Sequence, residues 1–393
     1  MEQEPFFSDH HHELAMAVKA FVEREVEPRA QEDEHENERA RAFVQLMARE
    51  KLLEYVVPDA YGGRFPQLDV RALCLIRQGL AYGSGLADTM FAMQGLGSYP
   101  ITLAGSEPLK RRYLPRVVSG DAIMAFALTE PEAGSDVAAL QSVAQRDGDH
   151  YELSGVKTFI SNAGLADAYV VFAKTTADVG HKGISAFVVE PTMVGFIVEK
   201  SLPLLAPHPI GVIRLDRCRV PCEHRLGEEG QGFKIAMQTL DLFRATVAAA
   251  AVGMAQRALD EAISYSRQRV QFGRPLCDFQ GIQFKLSDMA TELDAARLLV
   301  YRAAWKKDQG AERVTREAAM AKLYATEAAQ RIIDQAVQIH GGNGVVRGFA
   351  VERLYREIRA LRIYEGTSEI QKLVIARQLL NQTEASQPRL DRE

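Results

Sequence analysis

Glu365 is placed to act as a desolvated base. It lies between Tyr364 and Gly366, just ahead of an amphipathic helix predicted from Ile370, Leu373, Val374, Arg377 and Leu380. Burial raises a carboxylate's pKa and makes it a stronger proton acceptor. The glycine lets a substrate approach the backbone closely. The residues that follow also fit ordinary helix-start chemistry, with Ser368 and Gln371 spaced as an S-x-x-Q capping box; that reading leaves Glu365 without a purpose. A second group of residues suits a planar polar ring. It is the predicted strand end Phe126-Ala127-Leu128-Thr129, where backbone N–H groups and the Thr129 hydroxyl can meet a ligand and Gly134 permits close approach. A third is the run Arg269 to Pro275, whose arginine fork suits a diphosphate through paired charge-assisted hydrogen bonds. A fourth, Gly341-Gly342, either ends a helix or admits a cofactor phosphate or ribose.

The elements that position these groups follow from periodicity. Residues from Ser8 to Glu27 predict a helix with Leu14, Val18, Phe21, Val22 and Val26 in its apolar stripe, capped by Ser8 or Asp9 and ended by Pro28. The acidic run Gln31 to Glu38 reads as solvated. Further helices follow to about Gly120, the last capped by Ser106 with Pro108 in its first turn. After Asp121 the period changes. Ile123–Leu128, Gln141–Arg146, His150–Leu153, Ala168–Lys174, Ile184–Val189, Gly195–Val198 and Gly211–Leu215 read as strands, with Asp147-Gly148-Asp149 as a hairpin turn. From about Gly232 long amphipathic helices return, at Phe233–Arg269, Gln280–Lys307, Thr315–Ile339 and Thr367–Leu380, and the tail after Asn381 is polar and expected to fray. The expected fold is α+β: an N-terminal all-α domain (1–121), a middle β-barrel-like or sandwich domain (122–230), and a C-terminal four-helix bundle (231–393).

Composition narrows the function classes. A chain of 393 residues with 47% hydrophobic and 25% charged residues is ordinary for a globular protein. A formal net charge of -5 without a long basic run argues against nucleic acid as the main partner. Cys74, Cys218, Cys222 and Cys277 form no paired metal-ligand pattern and suit a reducing, cytoplasmic setting. No segment reads as a membrane span, and the acidic N-terminus does not read as a signal peptide. His10, His11 and His12 are expected at the surface, because three successive histidines cannot face one ion from one helix face.

Five segments, in order, resemble the signature segments of the acyl-CoA dehydrogenase family over nearly the whole chain. They are Phe126 to Asp136, Lys157 to Gly164, Asp241 to Arg244, Arg269 to Gln280, and Gln338 to Gly344 followed by Tyr364 to Ile370. The resemblance implies FAD as cofactor. Its pyrimidine edge would be held by Phe126, Leu128 and Thr129, its ring faced by Phe159 with Ile160, and its N5 edge met by Ser161. Arg269, Gln271, Phe272, Phe279, Gln280, Gln338, Ile339, Gly341, Gly342, Thr367 and Glu369 would complete the cofactor site. Arg269 would reach the dinucleotide of a neighbouring subunit in a homo-oligomer, a tetramer built as a dimer of dimers. Ser135, Asp241, Phe243, Arg244 and Gly366 would contact an acyl-CoA substrate. Many members have tryptophan at the position of Phe159, some place the base at the position of Phe243, and His340 replaces an apolar residue and is expected to be a hydrogen-bonded structural histidine. The resemblance thins at Leu202 to Val212, where a proline-rich loop carries His208. The implied reaction is α,β-dehydrogenation of an acyl-CoA thioester, with Glu365 removing the α-proton. The Glu365 backbone N–H and a flavin ribityl hydroxyl would bond the thioester oxygen, and an electron-transferring flavoprotein would accept the electrons. Two alternatives are a flavin oxidase or monooxygenase on the same scaffold, and a non-catalytic DNA-associated relative, against which the net charge and Glu365 speak.

Overall fold

A computed structural model of the chain describes residues 5–30, 35–177 and 179–386. Part of the acidic run and the last residues of the polar tail lie outside the described residues. Contacts divide the chain into two compact units, Ser8–Phe243 on one side and Met1–Phe7 with Arg244–Glu393 on the other.

The first unit begins with α1 (Asp9–Phe21), α2 (Glu36–Arg49), α3 (Val70–Gly83), α4 (Gly85–Ala104) and α5 (Glu107–Val118). The predicted first helix loses its α geometry after Phe21, passing into a π turn at Val22–Val26 and a 3-10 turn at Glu27–Arg29 that contains Pro28. The surface expectation for the histidines fails at His11, which is buried at 1% exposure. The Ser8 backbone N–H donates to His11 Nδ1 at 3.2 Å. The proton is therefore left on Nε2, which donates to Asp69 at 3.0 Å. His10 Nε2 reaches the same carboxylate at 3.1 Å. Ligand-type atoms of all three residues converge within 4.8 Å, but this tautomer makes His11 Nε2 a donor to Asp69 rather than a metal ligand. Asp69 in turn caps α3 by accepting from Ala72 N–H at 2.9 Å.

The same unit carries an eight-stranded sheet. Its strands are β1 (Met124–Ala127), β2 (Val143–Asp147), β3 (His150–Ser161), β4 (Ala168–Lys174), β5 (Ile184–Val189), β6 (Phe196–Ser201), β7 (Ile210–Pro221) and β8 (Arg225–Leu226). The order is β6-β7-β3-β2-β4-β5-β8, with β1 pairing β4 in parallel. β3 and β7 each run well past their predicted ends, and the two-residue β8 has no sequence signal. β4 and β5 are buried along nearly their whole length, which is why both read as continuous apolar runs.

The second unit contains most of α6 (Gly232–Gln268), which the division between units cuts. It also holds a small hairpin of β9 (Val270–Gln271) and β10 (Arg274–Pro275), then α7 (Gln280–Asp308), α8 (Thr315–His340), α9 (Ala350–Leu361) and α10 (Ser368–Ser386). The long helices lie where the periodicity put them, and α9 is an addition. The expectation that no segment has the length and apolarity of a membrane span is overturned for α6, which meets both criteria. The relevant stretch of α6 is 78% buried, as in the core helix of a globular protein. α10 is less amphipathic than predicted, since Leu373 and Leu380 are exposed.

Candidate active site

The first unit assembles its site residues on the ends of β1 and β3. Phe126 and Leu128 are buried, so their backbone is what a ligand can use. Thr158 N–H donates to Thr129 O at 3.0 Å and joins the two strand ends. Beneath them lies a charged pair that the sequence reading missed. Lys157 Nζ, buried, bonds Glu130 Oε1 at 2.7 Å and Leu128 O at 3.2 Å. Glu130 also accepts from the backbone N–H groups of Gln141 and Ser142. Burial pushes Lys157 down to about 8, against the opposing pull of Glu130. Burial works to raise the Glu130 pKa, yet Lys157 and the backbone donors outweigh it and hold the carboxyl below its ordinary range.

Beyond Lys157 the β3–β7 register slips between Lys157 and Ile160. At this bulge Phe159 lies at φ +53° and the residue is 60% exposed. A non-glycine residue in the left-handed region beside a bulge is an uncommon, locally costly arrangement that re-aims a side chain. Pairing resumes with Ile160 opposite Gly211 and Ser161 opposite Ile210. The half-buried Ser161 hydroxyl lies 2.7 Å from His208 Nε2. Asn162, at φ +63°, donates from Nδ2 to Met124 O at 2.9 Å and from its backbone N–H to Pro209 O at 2.7 Å. An exposed aromatic ring flanked by the half-buried hydroxyls of Thr129 and Ser161 fits the polar edge and face of a planar heteroaromatic group such as a flavin. Ser135 and Gly134 are exposed on the loop that follows β1.

Asp241 is half-buried. Phe243 is buried, its ring edge-on to Tyr99 at 5.9 Å and filling the space over Gly95, where an added Cβ would lie 2.5 Å from the ring.

In the second unit Glu365 adopts φ +51° and Gly366 φ +91°, two successive left-handed residues that turn the chain sharply into α10. The capping-box expectation fails here. Thr367, not Ser368, caps the helix, its Oγ1 accepting from Ile370 N–H at 3.3 Å. Ser368 Oγ instead donates to Glu327 at 2.6 Å, and Arg362 Nε donates to the same carboxylate at 2.9 Å. Gln371, fully buried, donates from Nε2 to the carbonyls of Glu365 (3.3 Å) and Gly366 (2.9 Å). Lys322 Nζ, also missed from sequence, donates to Gly366 O at 2.8 Å. Burial pushes Lys322 down to about 8, opposed first by the negative charge of Glu365 and reinforced by Arg244. A side chain at 366 would strike Gln371 Nε2 at 2.6 Å, so glycine is needed there for space as well as for φ. Glu369 is exposed.

Other predicted cofactor residues form exposed surface. Arg269, Gln271 and Gln280 are exposed, and Phe279 is half-buried beneath the Arg274 guanidinium at 4.1 Å. Phe272 is 94% exposed at φ +51°. Gln338, Gly341 and Gly342 are exposed, whereas Ile339 is buried and offers only its backbone. His340 is a structural histidine by geometry, donating from Nδ1 to Ala336 O at 2.8 Å and stacking on Tyr265 at 4.2 Å.

Three family descriptions match the chain: acyl-CoA dehydrogenase N-terminal domain over residues 8–121, middle domain over 125–218, and C-terminal domain over 230–380. A 3-(aryl)acrylate reductase from Clostridium sporogenes is 42% identical over 378 residues, covering 95% of this chain and 100% of that protein. The caffeyl-CoA reductase-Etf complex subunit CarC from Acetobacterium woodii is 39% identical over 384 residues, covering 95% of this chain and 99% of its own. Among solved structures, butyryl-CoA dehydrogenase from Megasphaera elsdenii superposes with a TM-score of 0.89 at 37% identity, over 97% of this chain and 100% of that one.

Proposed function

The chain belongs to the acyl-CoA dehydrogenase family and is an FAD-dependent oxidoreductase; from that premise we propose that it interconverts an acyl-CoA thioester and its trans-2-enoyl-CoA, passing electrons to an electron-transferring flavoprotein. The observation that carries this reading is the turn at Glu365. Glu365 lies in the left-handed region, and Gln371 and Lys322 pin the carbonyls of residues 365 and 366, so the backbone from which the Glu365 side chain leaves is held in one place. Bound FAD supplies the hydride acceptor. Glu365 takes the α-proton, and its backbone N–H is the chain's donor to the thioester oxygen as enolate character develops. Thr129 and Ser161 would hold the polar edge of the flavin ring and Phe159 would cover one of its faces.

By microscopic reversibility the same groups serve reduction of the enoyl thioester, with Glu365 returning the proton. The reductase names of two relatives make aryl-substituted enoyl thioesters as relevant to this chain as saturated short acyl groups. The exposed Val270 and Phe272, which follow Arg269, and the exposed Phe284 on α7 favour a shared cofactor site in a homotetramer, because apolar side chains in this number are costly to leave in water. Cysteine usage favours a cytoplasmic setting.

The test is anaerobic bleaching of the flavin against a panel of saturated, branched and aryl-substituted acyl thioesters, on coenzyme A and on acyl-carrier protein. Fast bleaching by at least one saturated thioester, with slow reoxidation in air and fast reoxidation by an electron-transferring flavoprotein, is the expected result. Rapid oxygen consumption would replace the dehydrogenase reading with the oxidase one.

A further inference from the structure

We propose that His208 is a positioning residue that sets the direction of the Ser161 hydroxyl at the flavin edge. The inference rests on the reading of Ser161 as the residue at that edge. Its basis is the 2.7 Å contact between Ser161 Oγ and His208 Nε2. The contact is built by the fold. Ser161 is the last residue of β3 and pairs with Ile210, the first of β7, so the residue two positions before β7 is delivered beside the hydroxyl. Pro207 and Pro209 restrict the backbone on both sides of His208. The bond from Asn162 N–H to Pro209 O at 2.7 Å ties this loop back to β3.

A hydroxyl has one proton and two acceptor positions. When its oxygen accepts a hydrogen bond in a confined site, its own proton still needs an acceptor, and a buried donor left without one costs free energy. Burial pushes the His208 pKa down to about 4, so at neutral pH the imidazole is uncharged and keeps one bare ring nitrogen. We take the bare nitrogen to be Nε2, the one that faces Ser161; the hydroxyl then donates to His208 and turns its oxygen to the ligand as an acceptor. The N5 edge of a flavin is an acceptor when oxidised and carries a proton when reduced. His208 therefore favours the reduced cofactor, by giving the Ser161 proton a partner while the oxygen accepts from N5–H. Towards the oxidised cofactor a freely rotating hydroxyl can donate without help, so His208 contributes less there.

The experiment measures the two-electron reduction potential of bound FAD in the holoenzyme by mediated chemical reduction, without substrate, in His208→Leu, His208→Gln and Ser161→Ala. The expected result for His208→Leu is an approximately tenfold loss of affinity for reduced relative to oxidised FAD, a fall of about 30 mV. His208→Gln, whose amide oxygen can accept the hydroxyl proton, should recover most of that shift, and His208→Leu should have no further effect in the Ser161→Ala background. An unchanged potential in His208→Leu, equal shifts in the leucine and glutamine variants, or an undiminished effect without Ser161 would each overturn the proposal. If His208→Leu does not fold or retain FAD, nitrogen-15 resonances of His208 in FAD-free wild type and Ser161→Ala decide. A shifted Nε2 signal supports the contact and an unshifted one overturns it. Because no readout uses an acyl thioester, a failure of the substrate panel would refute the functional reading without deciding this one.

Discussion

Each compact unit holds a buried lysine against its own candidate site residues, and the two are wired differently. Lys157 sits against Glu130 at 2.7 Å, and Glu130 is further held by two backbone donors. Lys322 gives its hydrogen bond to the neutral Gly366 carbonyl at 2.8 Å, and the negative charge that acts on it most is Glu365. Burial pushes both pKa values down to about 8. A lysine neutralised by a dedicated carboxylate stiffens the strand ends that would hold the cofactor and exports little charge. A lysine whose main counter-charge is the proposed base would couple loop geometry to that carboxylate's protonation. The same residue type is thus structural scaffolding in the sheet and, on the proposed mechanism, part of the acid–base system in the helical unit.

The largest break in this comparison would come from the base. Glu365→Gln keeps the shape and removes the proton acceptor, so flavin bleaching by substrate should slow about 10³-fold or more, within the usual range for a lost general base. FAD content and Tm should hold. Bleaching at a near wild-type rate would remove Glu365 from the mechanism and with it the functional half of the contrast.

The lysines themselves come next. Lys157→Met leaves the Glu130 carboxylate buried without its cation, a loss of about 3–5 kcal/mol by urea denaturation, with weakened FAD retention. Lys322→Met should cost less stability and instead alter the pH dependence of bleaching. Both folded and unfolded Lys322 are charged below about pH 8, so the burial penalty is fully present there. It is relieved as pH rises from about 8 towards the ordinary lysine value of about 10.4, where the unfolded chain binds more protons. The wild type should therefore gain stability relative to Lys322→Met across that window. It should also show an alkaline limb in kcat/KM near pH 8 that the variant lacks. Equal stability losses and identical pH profiles would mean that the two lysines do the same job.

A smaller effect is expected at Phe243. Phe243→Ala vacates the space over Gly95 and beside Tyr99, and kcat/KM for longer acyl chains relative to short ones should rise about tenfold, the worth of roughly one accommodated methylene. A flat chain-length profile would take Phe243 out of substrate selection. The smallest effect is expected at Asp69, a hydrogen-bonded carboxylate away from the candidate site residues. Burial works to raise the Asp69 pKa, but hydrogen bonds from His11, Ala72 N–H and His10 outweigh it and hold it below the ordinary range. Its contribution is present above the unfolded carboxylate value of about 3.9 and is lost as pH falls through the lower folded one. Asp69→Asn should thus lose about 1–2 kcal/mol near neutrality, flatten the acid limb of stability, and leave bleaching unchanged.

Local signals made much of this protein legible before its structure. The α7 and α8 helices were readable because each buries one face over many turns, α6 because it is a long apolar helix-forming run, and β4 and β5 because both faces of each strand are covered. Glu365 stood out because a carboxylate between an aromatic residue and a glycine has no obvious part in a helix start. What periodicity cannot carry is pairing between distant residues. The Glu130–Lys157 pair, the Lys322 bond to Gly366 and the His208 contact with Ser161 span 27, 44 and 47 positions respectively. Each looks like an ordinary polar residue until the sheet register or the helix packing brings its partner within reach. The capping box at Ser368 misled for the same reason, because Glu327 on α8 takes the serine hydroxyl that a local reading assigned to the helix start. Residue types and their order along the chain determined the architecture and singled out Glu365 as the candidate base. Only tertiary structure decided which buried charges and hydroxyls answer to one another, because the free energy of a buried polar group depends on the partner it finds and not on its neighbours in sequence.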